Sequence, residues 1–231
     1  MIRLFGKFIV LNSHSIDSIF RNYYAIGVWL FLLKIWLRFL GVKFKNVIFT
    51  IDDFYRDDLS ILRTLKMHGI NNIIIFYCPG VFDCLNPSYL FKNEKLVDAD
   101  MGTREDLAQV LDLFPDVEFG VHGWKHEKYS DLCESDIDML IKRQIDAYHL
   151  TFKGAPKYFA FPYGRADSDA VKQVSSYFEG VYLSDNKLDI TYQLSDNKNF
   201  IINRRHIELG GSLFKFMLVT LLDRYKSRRN S

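Results

Sequence analysis

The sequence predicts an α/β fold, a distorted (β/α) barrel of about seven strands with helices between them. Apolar runs typical of buried strands alternate along the chain with segments whose apolar residues recur at helical spacing. Several predicted strands are followed directly by ionisable residues, at the edge where parallel β/α folds bind ligands. The length of 231 residues fits one domain spanning residues 1–231, and no linker or internal repeat divides it.

The predicted strands are short runs rich in β-branched and aromatic residues. They cover residues 8–11, 47–51, 72–77, 118–121, 158–161, 180–183 and 200–202. The predicted helices carry apolar residues at i, i+3 and i+4 spacing, which gives each helix an apolar face. They cover residues 23–40, 58–68, 107–114, 135–152, 169–178 and 213–225. This alternation favours parallel pairing of the strands in one sheet or barrel.

Residues that suit helix caps mark the ends of these helices. Gly41, Gly69 and Gly154 follow the first, second and fourth predicted helices, where glycine readily adopts the left-handed conformation that closes a helix. Thr103, followed three residues later by Asp106, resembles a capping box ahead of the third helix.

Composition excludes some functional classes. Hydrophobic residues make up 48% and charged residues 25% of the chain, which is typical of a globular protein. The net charge of +2 gives no reason to expect a nucleic-acid partner. The three cysteines form no C-x-x-C pair, so neither a disulfide framework nor an oxidising compartment is indicated. Arg3 and Lys7 interrupt the apolar N-terminal region, so we expect no secretory signal and a cytoplasmic location.

Two adjacent carboxylates, Asp52 and Asp53, follow the strand predicted over residues 47–51. Within a strand they would point to opposite faces, but at its end both can turn toward one site. Ionised aspartate is almost never buried unless it is paired or bound to a metal. The pattern therefore predicts a site here, although a polar turn that caps the next helix would give the same sequence.

Two histidines, His122 and His126, follow the strand predicted over residues 118–121. One carboxylate and two imidazoles with an open coordination position are typical of a catalytic zinc site. Alone, the spacing also fits a core histidine followed by a surface one. Its position after a strand, like that of the aspartates, favours the metal site.

Three segments together resemble the polysaccharide deacetylase family, the NodB-homology domain of carbohydrate esterase family 4. They are Thr50–Asp53 (TIDD), Gly120–His126 (GVHGWKH) and Phe159–Gly164 (FAFPYG), in the family's order. The resemblance extends from about residue 8 to residue 225. It implies a NodB-like deacetylase fold and a metal-dependent hydrolase that removes N-acetyl groups from an amino sugar in a glycan or glycolipid.

The resemblance also implies a role for each motif residue. Asp52 would be the general base, while Asp53, His122 and His126 would bind a divalent metal, most commonly zinc. The backbone N–H of Tyr163, in the Pro-Tyr-Gly turn, would help to hold the oxyanion. Without the other motifs, this turn would be an ordinary end of a strand.

The general acid has two candidates. His206 is the only late histidine and matches the usual position in the family, whereas His14 follows the first predicted strand, as in members with a rearranged motif order. We favour His14. Each could instead be a surface histidine.

The chain departs from the family pattern at three places. Phe54 stands where glycine is usual, and we expect it to narrow the site or to stack on a sugar. Gly123 replaces a serine or threonine and so removes a local hydrogen bond. No arginine precedes Pro162, so any orientation of Asp52 by an arginine at that position is missing here.

Two questions stay open at this stage. A non-catalytic carbohydrate-binding or scaffold protein could have the same fold, and a hydrolase could act on another linear or cyclic amide. The segments 23–40 and 213–229 combine apolar faces with basic residues, which suits packing on the domain or peripheral contact with the inner membrane face. Membrane contact would require exposed aromatic residues, and Trp29 and Trp36 are the candidates in the first segment.

Overall fold

The computed structural model describes residues 9–13, 23–39, 47–82, 101–184, 192–193, 200–206 and 217. Strands in this part of the chain are β1 Ile9–Ser13, β2 Val47–Asp53, β3 Ile73–Tyr77, β4 Glu118–Val121, β5 Tyr158–Ala160, β6 Gly180–Leu183, β7 Tyr192–Gln193, β8 Phe200–Asn203 and β9 Arg205–His206. Helices are α1 Tyr23–Phe39, α2 Asp58–Met67, α3 Arg104–Leu113, α4 Glu134–Phe152 and α5 Ser168–Ser175.

All nine strands belong to one sheet in the order β7-β8-β6-β5-β4-β3-β2-β1-β9. Every neighbouring pair is parallel except β7 and β8. The predicted α/β fold is therefore confirmed. The sequence missed β7 because a strand of two residues carries no periodic pattern.

The chain around Arg204 links the two ends of the strand order. β8 pairs with β6 and β9 pairs with β1, and only Arg204 separates β8 from β9. This segment is therefore a seam that brings the β6 side and the β1 side of the sheet together. The seam matters for function because Arg204 is also part of the site described below.

The sheet has a different core on each face. Alternate residues of a strand point to opposite faces, and Phe49 and Ile51 belong to the large cluster that includes the buried residues of the helices. On the other face, Phe76 packs against Tyr182 with ring centroids 5.1 Å apart, in a smaller cluster. Thr50 and Asp52 share the face of this smaller cluster, so the alternation of β2 directs Asp52 inward.

Several predicted helix ends are confirmed and others are wrong. Thr103 and Asp106 form the full capping box, with Asp106 N donating to Thr103 Oγ1 and Thr103 N donating to Asp106 Oδ2. α4 ends at Phe152. The next residue, Lys153, takes the left-handed conformation with φ 56° that the sequence predicted for Gly154. α5 ends at Ser175, short of the predicted end at Phe178, whose ring is buried in the core.

α1 packs on the domain through one face. Leu30, Leu33 and Leu37 are fully buried, as a packed amphipathic helix requires. Trp29, a candidate for membrane contact, is 5% exposed and so packs on the domain instead, and Trp36 is half-buried. No helix in the described ranges is long and apolar enough to cross a membrane. Of the predicted helix over residues 213–225, all but Met217 lies outside the described residues.

Candidate metal centre and active site

Backbone strain is concentrated where the predicted site residues lie. Five non-glycine residues of the described chain have positive φ, and four of them are Asp53, Phe54, His126 and Tyr163. This left-handed conformation costs of order 1–3 kcal/mol for such residues and persists only where the surroundings enforce it. The four positions come from three different strand ends, so the strain points to one site assembled from all three.

The two aspartates lie in β2 itself, whereas the sequence predicted that the strand ends before them. They are the last two residues of the strand and pair in register with Phe76 and Tyr77 of β3. Asp52 keeps the strand alternation and points inward. Asp53 leaves it with φ 71°, which allows its side chain to serve the same site. Both side chains are buried.

Asp52 forms a buried, bidentate ion pair with Arg204. Arg204 Nη1 donates to Asp52 Oδ1 at 2.5 Å and Nη2 donates to Oδ2 at 2.9 Å. Nη1 also lies 3.1 Å from Thr50 Oγ1, and the guanidinium lies over the Phe76 ring. Bidentate pairing fixes the orientation of a carboxylate as well as its charge. The arginine that is absent before Pro162 is therefore replaced by Arg204, which the seam supplies.

His122 presents a metal-binding nitrogen to the site. Its Nδ1 lies 2.8 Å from the carbonyl oxygen of Ala160, and if Nδ1 carries the proton, Nε2 is left as an acceptor. Nε2 is buried and makes no hydrogen bond within the described residues. Burial lowers the pKa of His122 to about 3, so the imidazole is neutral. Its 3.7 Å approach to Asp52 is therefore not an ion pair.

The loop that carries His126 is shaped around a carboxylate. Glu127 accepts hydrogen bonds from the backbone N–H groups of Trp124 at 2.8 Å and of Lys125 at 2.9 Å. Gly123 has φ 80°, and a Cβ there would lie 3.1 Å from both Glu127 and Pro162. Gly123 thus permits the turn. Glu127 stabilises it by accepting backbone hydrogen bonds, which a serine or threonine at position 123 does not provide.

Asp53, His122 and His126 converge as the sequence pattern predicts. One ligand atom from each lies within 4.8 Å of the others. Asp53 Oδ1 lies 4.0 Å from His122 Nε2 and 3.8 Å from His126 Nε2. Because Arg204 balances the charge of Asp52, Asp53 brings a negative charge to two imidazole nitrogens. This donor set, with an orphaned buried Nε2, fits a divalent transition metal such as zinc.

Tyr163 lies beside these ligands. Its ring centroid is 4.6 Å from that of His126, and the side chain is 47% exposed. The turn that carries it, Pro162–Gly164, follows β5 directly. Tyr163 therefore stands at the mouth of the site, where both its ring and its backbone can meet a ligand.

Two further buried groups surround Asp53. The Cys78 thiol donates to the carbonyl of His122 at 3.0 Å and lies 3.9 Å from Asp53 Oδ1, and burial raises its pKa well above the usual range. Asp58 accepts a hydrogen bond from Tyr55 N at 2.7 Å. Burial raises the pKa of Asp58 to about 8, so this carboxyl group is protonated at neutral pH.

Phe54 does not reach a substrate. Its side chain is 1% exposed, and a Cβ on Gly102 would lie 2.4 Å from its ring. The Phe54 carbonyl also accepts a hydrogen bond from Gly102 N. The expectation that Phe54 narrows the site or stacks on a sugar is therefore wrong. The ring is a core residue that anchors the turn after Asp53.

The two candidate acids come from neighbouring strands. His14 lies outside the described residues, directly after β1. His206 is the last residue of β9 and pairs in register with Asn12 of β1. His206 therefore lies beside β1, the strand that His14 follows in the sequence, and the assignment of the acid stays a prediction.

Arg204 is the functional residue that sequence reasoning missed. It follows the predicted strand over residues 200–202, in the same position relative to a strand end as the other site residues. That position indicates a site residue, but from the sequence only His206 in this segment is a candidate. An arginine after a strand becomes a partner for Asp52 only through the closing of the sheet.

Comparison with known proteins agrees with this arrangement. A sequence profile of the polysaccharide deacetylase family matches residues 41–178, more than half of the chain. No curated protein sequence matches the chain.

Solved structures with the same fold include IcaB and two deacetylases. IcaB from Ammonifex degensii is 16% identical, with 87% of this chain and 91% of that chain covered and a TM-score of 0.62. A de-N-acetylase from Aggregatibacter actinomycetemcomitans is 14% identical, with 91% and 99% covered and a TM-score of 0.63. The Streptococcus pyogenes deacetylase PplD, solved with acetate, is 14% identical, with 91% and 98% covered and a TM-score of 0.63. At these identities the likeness concerns the fold alone.

Proposed function

Because the chain belongs to the polysaccharide deacetylase family, we propose that it is a metal-dependent hydrolase acting on the N-acetyl group of an amino sugar. The substrate class is a glycan or a lipid-linked saccharide. One observation carries the proposal: a three-residue metal-binding set stands beside a separate buried carboxylate, Asp52, that an arginine orients. Metal-dependent amide hydrolysis uses both a metal site and a base next to it.

The residues divide into two roles. Asp53, His122 and His126 would hold a divalent metal, most commonly zinc in such a set. When bound, the metal polarises the amide carbonyl and lowers the pKa of water. Asp52 accepts the proton of the attacking water, since it is oriented by a bidentate contact with the cationic Arg204 and lies outside the ligand set.

The developing oxyanion and the leaving amine need further groups. The backbone N–H of Tyr163, at the mouth of the site, is proposed as the oxyanion donor, and such a donor contributes about 2.7–4 kcal/mol. The amine leaves only when it is protonated, so a general acid is required. We propose His14 for this role in preference to His206.

The reaction is tested by measuring acetate release from a panel of N-acetylated saccharides, free and lipid-linked, with and without added zinc. We expect release that depends on metal. Asp52→Asn should abolish turnover and keep the metal, whereas Asp53→Ala should lose both. Loss of metal in Asp52→Asn would show that the roles of the two aspartates are wrong.

Two outcomes would assign a different function. Retained metal and saccharide binding without acetate release from any substrate would favour the carbohydrate-binding alternative. Release of a different acid from another amide would keep the hydrolase and change its substrate. In the same assay, His14→Ala should lower the rate roughly 10²–10⁴-fold, and His206→Ala should have little effect. The opposite result would assign the acid to His206.

A cytoplasmic location is proposed with the function. It is supported by the free thiols of Cys78 and Cys133, because reduced cysteines are usual in the cytosol. Cell fractionation tests the location, and recovery of the protein outside the cytoplasm and the inner membrane face would contradict it.

A further inference from the structure

α1 has a second apolar face, directed away from the domain. Five of its residues have large exposed side chains: Val28, Phe31, Leu32, Ile35 and Phe39. We call these five residues the apolar stripe. Phe31, Ile35 and Phe39 are 58%, 53% and 68% exposed. At about 100° per residue the whole stripe falls within an arc of about 100° on the helix.

The apolar stripe differs from other exposed apolar residues of the described chain. Those residues are scattered, with Met67 on α2, Leu111 on α3, Met139 and Leu150 on α4, and Tyr163 at the site. Single exposed apolar side chains are ordinary, whereas a contiguous patch marks a surface that another partner covers. The opposite face of α1 is already buried, so packing on the domain does not account for the stripe.

The charges of α1 indicate what that partner is. Lys34 and Arg38 are exposed, lie one turn apart and border the apolar stripe on one side. The helix contains no acidic residue. An apolar stripe bordered only by basic charge is the pattern of a helix that lies in an anionic membrane surface.

Charge also disfavours two other partners. In a symmetric dimer through the apolar stripe, neither copy of α1 offers an acidic residue to pair with Lys34 and Arg38, and in the antiparallel arrangement the cations of the two copies would lie close together. The C-terminal segment, residues 207–231, carries five basic and two acidic residues, so it would add positive charge beside Lys34 and Arg38. Anionic lipid is the partner whose charge is complementary.

We infer that α1 docks the protein on an anionic lipid surface through the apolar stripe. β1 and β2 are parallel, so α1 runs antiparallel to them, from the site edge of the sheet to the opposite edge. A helix lying flat on the bilayer therefore turns the mouth of the site along the membrane plane. A headgroup saccharide could enter from the side, and this last step rests on the proposed function, whereas lipid binding does not.

The test is co-sedimentation of the full chain with vesicles of phosphatidylcholine, or of phosphatidylcholine and phosphatidylglycerol in equal amounts. We expect binding to the anionic vesicles at low salt and weaker binding at high salt, where surface charges are screened. The combined variant Phe31→Ser, Ile35→Ser and Phe39→Ser should bind at least about tenfold more weakly, because its apolar contact is lost. Lys34→Gln with Arg38→Gln should lose the salt dependence.

The matched control is Met67→Ser, Met139→Ser and Leu150→Ser, which removes three exposed apolar side chains elsewhere. It should bind vesicles like the unaltered protein, and circular dichroism should show both serine variants folded. A protein that stays in the supernatant with anionic vesicles at low salt overturns the inference. So does a stripe variant that binds normally, or a dimer in solution that the stripe variant converts to monomer. Acetate release is measured separately, so neither result bears on the other proposal.

Discussion

The two halves of the site are assembled over different distances along the chain. His122, His126 and the supporting Glu127 belong to one loop, and only Asp53 joins them from elsewhere. The other half pairs Asp52 with Arg204, 152 positions away, and it exists only because β9 pairs with β1. Convergence of the candidate metal ligands therefore depends mainly on a local turn, whereas orientation of Asp52 depends on the closing of the sheet.

The largest expected effect comes from separating the halves at the seam. Arg204→Met leaves Asp52 buried without its cation, which should destabilise the protein by about 3–5 kcal/mol. Turnover should fall sharply because the base is no longer oriented. Metal content should stay normal. Arg204 donates hydrogen bonds to Asp52 and Thr50, and both of these side chains are outside the ligand set. Denaturant unfolding, metal analysis and acetate release measure the three quantities.

Two controls make this prediction specific. Arg63→Met removes an exposed arginine that bonds Gln109 on the surface, and it should change stability by less than about 0.5 kcal/mol. The double variant Asp52→Asn with Arg204→Met buries no unpaired charge, so it should be more stable than Arg204→Met alone. If Arg204→Met also loses its metal, the two halves are not independent and the comparison fails.

This difference explains what the sequence could predict. The alternation of strands and helices, the capping box at Thr103 and the convergence of Asp53, His122 and His126 all follow from local patterns. The roles of these residues remain predictions. Arg204 could not be assigned as the partner of Asp52, because that contact requires the register of strands at the two ends of the sheet.

Local patterns also failed where packing outweighs propensity. Phe54 looked like a substrate contact because it stands where glycine is usual, yet its ring is buried against Gly102. The apolar sequence of α1 does not indicate which side chains face the domain: Trp29 packs inward, while Phe31 and Ile35 face outward. In both cases the sequence gives the type of residue, whereas the direction of its side chain depends on tertiary packing.

A smaller effect is expected in the metal half. Glu127→Gln leaves one oxygen to accept the two backbone N–H groups and places an amide donor near them. The loop that positions His126 should loosen, and metal affinity should fall about 10–100-fold, the usual effect of losing a group that orients a ligand. Asp131→Asn, an exposed change beyond the same loop, is the control. Unchanged affinity in Glu127→Gln would show that the loop holds its shape without the carboxylate.

The smallest expected effect on the site comes from Asp58, a buried residue near Asp52 and Asp53. Its protonation should change the free energy of unfolding with pH without affecting metal binding. Its pKa is raised by burial from 3.8 to about 8, so between these values the folded protein holds a proton that the unfolded chain has released. This contribution to stability is fully present below about pH 4 and is lost as the pH rises through about 8. Asp58 alone therefore lowers the free energy of unfolding across that range, with a slope of up to about 1.4 kcal/mol per pH unit, while the lowered pKa of His122 acts in the opposite direction below about pH 6.5. Asp58→Asn keeps an acceptor for Tyr55 N and should remove this contribution to the slope, while Asp57→Asn, an exposed change in the same turn, should leave it. Urea unfolding from pH 5 to pH 8 measures it, and equal slopes in the three proteins would show that Asp58 is ionised in the folded state.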